Sequence, residues 1–167
     1  MPDLKKIPDE LKWRLATGFA VKMSILYDTA FREIVGKKYD GIEHEIWIEL
    51  ARYVASVARD IHLPVKNAQE IAGTLVIITG MLYGPDYKSE ALELEDDKAV
   101  IVVKRCAFLE EGPSRVCTRE CIFHKCMALT LATVPLLNKR YIARYVRTMC
   151  TGDRQCEIKI AIDEEQK

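Results

Sequence analysis

The chain has 167 residues, which suits one domain with a sizeable core. Hydrophobic residues make up 49% and charged residues 30%, a balance that excludes a disordered chain. Lys+Arg 25 offsets Asp+Glu 25, so no global basic field draws nucleic acid, and no uninterrupted apolar run approaches the ~20 residues of a membrane span.

The opening Met1-Pro2-Asp3-Leu4-Lys5-Lys6 carries no apolar signal segment, so the cytoplasm is the expected compartment. Residues 8–36 read as one long helix, because Leu15, Phe19, Met23, Leu26, Ala30 and Ile34 recur at helical steps. Pro8 suits its first turn and Gly36 closes it. A second helix starts at Asp40, with Glu43 placed for a capping box. Ile46, Leu50, Val54, Val57 and Ile61 form its expected buried stripe, and Leu63-Pro64 ends it. A third helix, residues 67–81, starts at Asn67 with Glu70 in the capping position. Ile71, Ala72, Leu75, Val76 and Ile78 make it apolar on most sides, which predicts the most buried helix.

Gly84-Pro85 breaks this pattern. The alternation of residues 91–95, the turn Asp96-Asp97 and the run 99–103 predict a β-hairpin. A loop at 110–114 leads into a fourth helix over 116–134, ending near Pro135. Residues 141–149 and 157–162 predict a second hairpin around Thr151-Gly152-Asp153. The expected class is α+β: a single domain, 1–167, with a helical part at 8–82 and a cysteine-rich α+β part at 86–162. Its N-terminal helices would pack on an antiparallel sheet of two hairpins.

All six cysteines fall in the second part: Cys106, Cys117, Cys121, Cys126, Cys150 and Cys156. In a reducing compartment such clustering points to metal or redox chemistry more than to structural disulfides. Cys117 and Cys121 share a helix face if that segment is helical, with His124 on the same side. Cys150 and Cys156 flank the last turn, so strand pairing would bring them together. Zinc takes four N or S donors, and iron–sulfur clusters take four thiolates. No Cys-x-x-Cys occurs, so three readings stand: a metal or cluster on at least three of the six, buried core thiols, or a redox pair.

The ending Met149-Cys150-Thr151-Gly152-Asp153-Arg154-Gln155-Cys156-Glu157-Ile158 resembles the closing motif of 4-vinyl reductase domains, which are small-ligand-binding modules. It is also similar to a group of L-2-amino-thiazoline-4-carboxylic acid hydrolase-like proteins. That group shows an Arg-Cys-apolar stretch after a strand, here Arg105-Cys106-Ala107-Phe108, and a cysteine pair opening the next helix, here Cys117 and Cys121. The resemblance spans residues 67–162. It implies the fold of Bet3-type vesicle-tethering subunits, with helices and an antiparallel sheet around an apolar ligand cavity. It also implies zinc on an upstream cysteine and the closing pair Cys150 and Cys156. Arg147 stands where the family has a glutamate ligand, so a fourth donor would come from the helix thiols or His124. The surplus of cysteines keeps an iron–sulfur cluster open.

Other residues carry weaker signals. His44 and His62 lie near the two ends of the second helix, and His62 suits a structural role at the negative helix end. Trp13, Tyr27, Trp47, Tyr53 and Tyr83 either line a cavity or fill the core. Lys139, Arg140, Arg144 and Arg147 read as a solvated strand face, and Glu110 and Glu111 as a solvated pair. Gly80-x-x-x-Gly84 lacks the lysine of a phosphate loop. The leading expectation is a small-molecule-binding or sensing protein with a cysteine-ligated metal. A metal-dependent hydrolase that opens a small heterocycle such as an amino-thiazoline carboxylate is the alternative, and a redox or electron-transfer protein the second. The expected partner is a small apolar or heterocyclic ligand, with no direct nucleic-acid or membrane binding and a homodimer left open.

Overall fold

The computed structural model describes residues 4–95, 97–110 and 118–164. Three long helices come first: α1 Asp9–Val35, α2 Tyr39–Asp60 and α3 Ala68–Tyr83. Strands β1 Lys88–Leu94 and β2 Lys98–Arg105 follow, then the short α4 Ala107–Glu110 and the long α5 Arg119–Leu137. Strands β3 Tyr141–Arg147 and β4 Cys156–Ile162 complete the described chain.

The four strands form one antiparallel sheet in the order β1-β2-β4-β3. The two hairpins are therefore stitched together by β2 and β4. Ala91, Ile101, Ile158 and Tyr145 stand opposite one another across the sheet and so share a face. That face is covered by α3 and α5, while α2 packs on the other side of α5. Helix α1 packs more lightly, against α2, α3 and α4.

Helix α3 is the buried helix its composition predicts: Ala68, Ile71, Ala72, Leu75 and Ile78 are all in the core. Fully burying a side chain such as Ile71 or Leu75 is worth roughly 1.5–3 kcal/mol, which seats the helix on the sheet. Its start is also as expected. The Asn67 side chain accepts from Glu70 N at 2.8 Å, and Glu70 Oε2 accepts from Lys66 N at 2.6 Å. The turn of the first hairpin is tied to the same point: Asp97 accepts from Ala68 N at 2.9 Å and from the Tyr141 hydroxyl at 2.5 Å.

Several expectations are corrected. The stripe of α1 that marks it as a helix faces outward: Leu15, Phe19, Leu26 and Ile34 are exposed, and Thr17, Val21, Ile25 and Asp28 are buried. In α2 the buried face is Glu43, Trp47, Ala51, Val54 and Ala58, so Ile46, Leu50 and Ile61 lie outside it. Asp40 does not cap α2. The helix is entered from a 3-10 turn, Gly36–Lys38, with Lys38 at the cap position and no side-chain cap bond. The C-terminal end of α2 closes with Leu63 N donating to Ala58 O and His62 N to Arg59 O, His62 taking φ 57. Helix α5 continues through Pro135 to Leu137; the proline leaves the Leu131 carbonyl without its helical donor, and the helix closes with Asn138 N donating to Val134 O at 3.0 Å. Helix α5 is also long and apolar enough to span a membrane by length and composition, but here it lies between α2 and the sheet with Lys125 buried in it.

Candidate functional site

The thiols converge only in part. Cys106 follows β2, Cys126 lies on α5, Cys150 sits in the 3-10 turn Met149–Thr151, and Cys156 opens β4; all four line one cavity under α3 and α5. The expected cross-strand pairing of Cys150 with Cys156 does not form. Strand β3 stops at Arg147, opposite Glu157, and Cys156 faces Val103 of β2 instead. The cavity is about 60 Å³, well below the ~300–1,000 Å³ of ligand pockets. Cys121 is outside its lining, with its sulfur 3.6 Å from the Thr118 hydroxyl. Cys117 and Glu111 lie outside the described residues, so the shared face of Cys117 and Cys121 does too. His124 is exposed, its ring beside Phe123. Among the described residues no group of three His, Cys, Asp or Glu could hold a metal ion as they stand. Burial raises the Cys106 thiol, holds Cys126 well above its ordinary value and pushes Cys150 up to about 11.

The ligand-sized space is elsewhere. A groove of about 510 Å³ runs between α1 and α2, closed at one end by Leu82, Tyr83 and Phe108 and floored by α5. No residue of the sheet lines it, so the expected cavity between helices and sheet is the small thiol cavity, and the larger space belongs to the helices alone. The walls are apolar and aromatic: Tyr27 and Phe31 from α1, Ile46, Trp47, Leu50 and Tyr53 from α2. Ile46 and Leu50, expected in the core, line this groove. Of the five aromatics singled out in the sequence, Tyr27, Trp47, Tyr53 and Tyr83 line it. Trp13 is outside its lining and donates from Nε1 to Met81 O at 2.9 Å.

The groove has a charged floor. Lys125 of α5 is 1% exposed, Asp28 of α1 is 1% and Glu43 of α2 is 5%. Lys125 Nζ lies 3.2 Å from Asp28 Oδ2 and 3.3 Å from Glu43 Oε1. Arg32 lies behind them: its Nε donates to Asp28 Oδ1 at 3.0 Å, and its two terminal nitrogens bond Glu43 and Asp40. The Tyr39 ring packs on the Arg32 guanidinium at 5.3 Å. Taken without the half-exposed Asp40, two acids meet two bases. Burial pushes the Glu43 carboxyl up to about 7; the facing Asp28 carboxyl adds to the rise, and Lys125 and Arg32 oppose it. The network links α1, α2 and α5 at one point.

Sequence reasoning missed this cluster. Glu43 reads as a capping residue, and Asp28, Arg32 and Lys125 carry no assignment in the sequence. The available signal was a lysine in the middle of an apolar helix, where a charge needs a buried partner.

No family model matches the chain, and no curated protein matches it. Similar solved structures include the following two. The trafficking protein particle complex subunit 3 from Naegleria fowleri, covalently bound to palmitic acid, gives a TM-score of 0.53 at 10% identity, over 92% of this chain and 96% of that one. The phenol-responsive sensory domain of the transcription activator PoxR, with phenol, gives a TM-score of 0.53 at 10% identity, over 87% of this chain and 74% of that one. At this identity the likeness is one of architecture: the chain has the α+β fold of the Bet3-type trafficking subunit, helices packed on a four-stranded antiparallel sheet.

Proposed function

We propose that this protein binds a small, mainly apolar molecule in the groove between α1 and α2, as a binding or sensing protein. The observation that carries this reading is a groove of about 510 Å³ with aromatic walls and a buried charged floor, a size and chemistry typical of small-molecule sites. Two proteins of similar architecture hold palmitic acid and phenol, which supports the class of ligand. Trp47 lines the groove and Trp13 does not, so a Trp13→Phe protein reports on the groove by its remaining tryptophan. Phenol should change that fluorescence saturably, and Leu50→Arg should abolish the response. No saturable change with any small apolar probe would end the proposal.

The metal belongs to the same proposal. The resemblance to 4-vinyl reductase domains implies zinc, and Cys106, Cys126, Cys150 and Cys156 share one cavity. As placed they do not fit a four-donor site, so a zinc ion or iron–sulfur cluster would require these side chains to turn toward a common point. Thiols held protonated by burial are poor nucleophiles, which counts against a redox pair. Anaerobically purified protein should carry stoichiometric metal that Cys150→Ser and Cys156→Ser remove; metal-free protein would end this part. The reading places the protein in the cytoplasm, where such thiols stay reduced. The exposed Leu15, Phe19, Leu26 and Ile34 of α1 support a homodimer, which sedimentation of wild type against Phe19→Lys would test.

A further inference from the structure

The floor of the α1–α2 groove also carries information about the ligand's polar group, if the groove is the binding site as proposed above. Its lining charges are Asp28, Glu43 and Lys125, backed by Arg32. With Glu43 ionised, the two buried acids balance the two bases and leave no net charge to neutralise. A carboxylate ligand would meet Asp28 and Glu43, and an ammonium ligand would meet Lys125 and Arg32. Either ion would enter a site of low dielectric without an unpaired counter-ion. An uncharged group escapes both penalties. It still has something to bond: Glu43 Oε1 is buried without a well-aligned hydrogen bond, its polar neighbours being Lys125 Nζ at 3.3 Å and the facing Asp28 carboxyl. A buried acceptor of this kind favours a donor from the ligand. The walls beside it, Tyr27, Phe31, Trp47 and Tyr53, suit a ring or chain with no further polar group.

We propose that Glu43 and Lys125 select an uncharged, hydroxyl-bearing ligand with an apolar body, its O–H donating to Glu43 Oε1 and its oxygen accepting from Lys125 Nζ. A hydroxyl both donates and accepts, and this is the pairing that an acid beside an ammonium offers. The floor therefore separates two ligand classes of similar apolar size. It accepts a phenol or alcohol and disfavours a free carboxylic acid, which would enter ionised.

Four probes of matched body test this by titration calorimetry at neutral pH: 4-propylphenol, propylbenzene, 4-propylbenzoate and 4-propylbenzylamine. The expected order has 4-propylphenol tightest, by about tenfold or more over propylbenzene, since hydrogen bonds to charged groups carry this margin. Glu43→Leu should erase the preference for the phenol over propylbenzene. Glu43→Gln, which keeps an acceptor oxygen, should retain most of it. Equal affinity for the phenol and propylbenzene in the wild type would overturn the head-group assignment while leaving the groove as a binding site. Tightest binding of the benzoate or the amine would overturn it in the same way. Binding of none of the four would remove the groove as the site, and the selection with it. The comparison within wild-type protein stands even where Glu43→Leu fails to fold.

Discussion

Lys125→Met tests the charged floor most directly. Methionine keeps an unbranched apolar stem and deletes the ammonium that lies 3.2 Å from Asp28 Oδ2 and 3.3 Å from Glu43 Oε1. Two buried carboxyl groups then share Arg32 as their counter-ion, and Arg32 is also engaged by Asp40. Removing one partner from a buried ion pair costs about 3–5 kcal/mol. Part of this can be relieved by a proton. Glu43 titrates at about 7 in the presence of Lys125, and Lys125 is one of the groups that hold it down. Loss of the lysine should raise Glu43 further. Below its ordinary value of 4.5 Glu43 is protonated in the folded and unfolded chain alike, so the variant loses only the contact with Asp28. At alkaline pH it also loses about 1.4 kcal/mol for each unit by which Glu43 has risen. Urea unfolding followed by circular dichroism, at about pH 5.5 and about pH 8.5, should therefore show a larger deficit at the higher pH. The melting temperature should fall by about 10 °C there, at roughly 2–4 °C per kcal/mol for a domain of this size. A deficit below about 1 kcal/mol at both pH values, or one no larger at high pH, would refute the idea that Lys125 is held between the two acids.

In the wild type, a Glu43 carboxyl raised from 4.5 to about 7 contributes stability that is complete below 4.5 and lost as pH rises through about 7. The loss is about 3 kcal/mol, and Glu43→Gln should flatten it; parallel urea midpoints for the two proteins across this range would contradict the assignment. Gly84→Ala should cost about 2–3 kcal/mol, because φ is +90° and the new Cβ would lie 2.2 Å from Thr17 Oγ1. Thr17→Ala added to it should recover only the steric part, as read by thermal melting. Asp97→Ala removes the acceptor of Ala68 N and the Tyr141 hydroxyl and should lower stability by about 1–2 kcal/mol at neutral pH. The Tyr141 and Ala68 bonds hold the Asp97 carboxyl below its ordinary value, so the deficit should shrink as acid protonates it in the wild type; a constant deficit would count against the contact. In metal-free protein, Cys126 and Cys150 should react with iodoacetamide at pH of about 8 at least tenfold more slowly than an unhindered peptide thiol, and peptide mapping showing equal rates would be inconsistent with their burial.

Local signals in the sequence were sound where one physical effect dominates. Asn67 with Glu70 places the start of α3, Gly36 the end of α1, and the all-round apolarity of Ile71, Leu75 and Ile78 places α3 in the core. The alternation from Glu157 to Ile162 gives a strand with Ile158 and Ile160 inside. The errors arise where apolar residues have a destination other than the core. Ile46 and Leu50 look like a core stripe because a ligand-sized groove and a core demand the same side chains. Leu15 and Phe19 follow a helical period yet face outward. The charged floor was illegible because its members come from three helices and each has an ordinary local explanation. The order β1-β2-β4-β3 was equally hidden, since hairpin signals fix neighbours within each pair and say nothing about which edges join.

That order has a consequence for how the chain is made. β4 is the latest of the four strands to be synthesised, yet it is an interior strand, paired with β2 on one side and β3 on the other. Until residues 156–162 are available, the Ile101–Val103 edge of β2 is open and β3 has no neighbour. Two exposed edges with apolar residues at once are an invitation to pair with another chain. The helices α1, α2 and α3 emerge well before the sheet that α3 must cover. Sheet closure is thus a single late step that depends on long-range pairing, the slow kind. A nascent chain stalled before Cys156 should be the aggregation-prone species, and one released just after Ile162 should not.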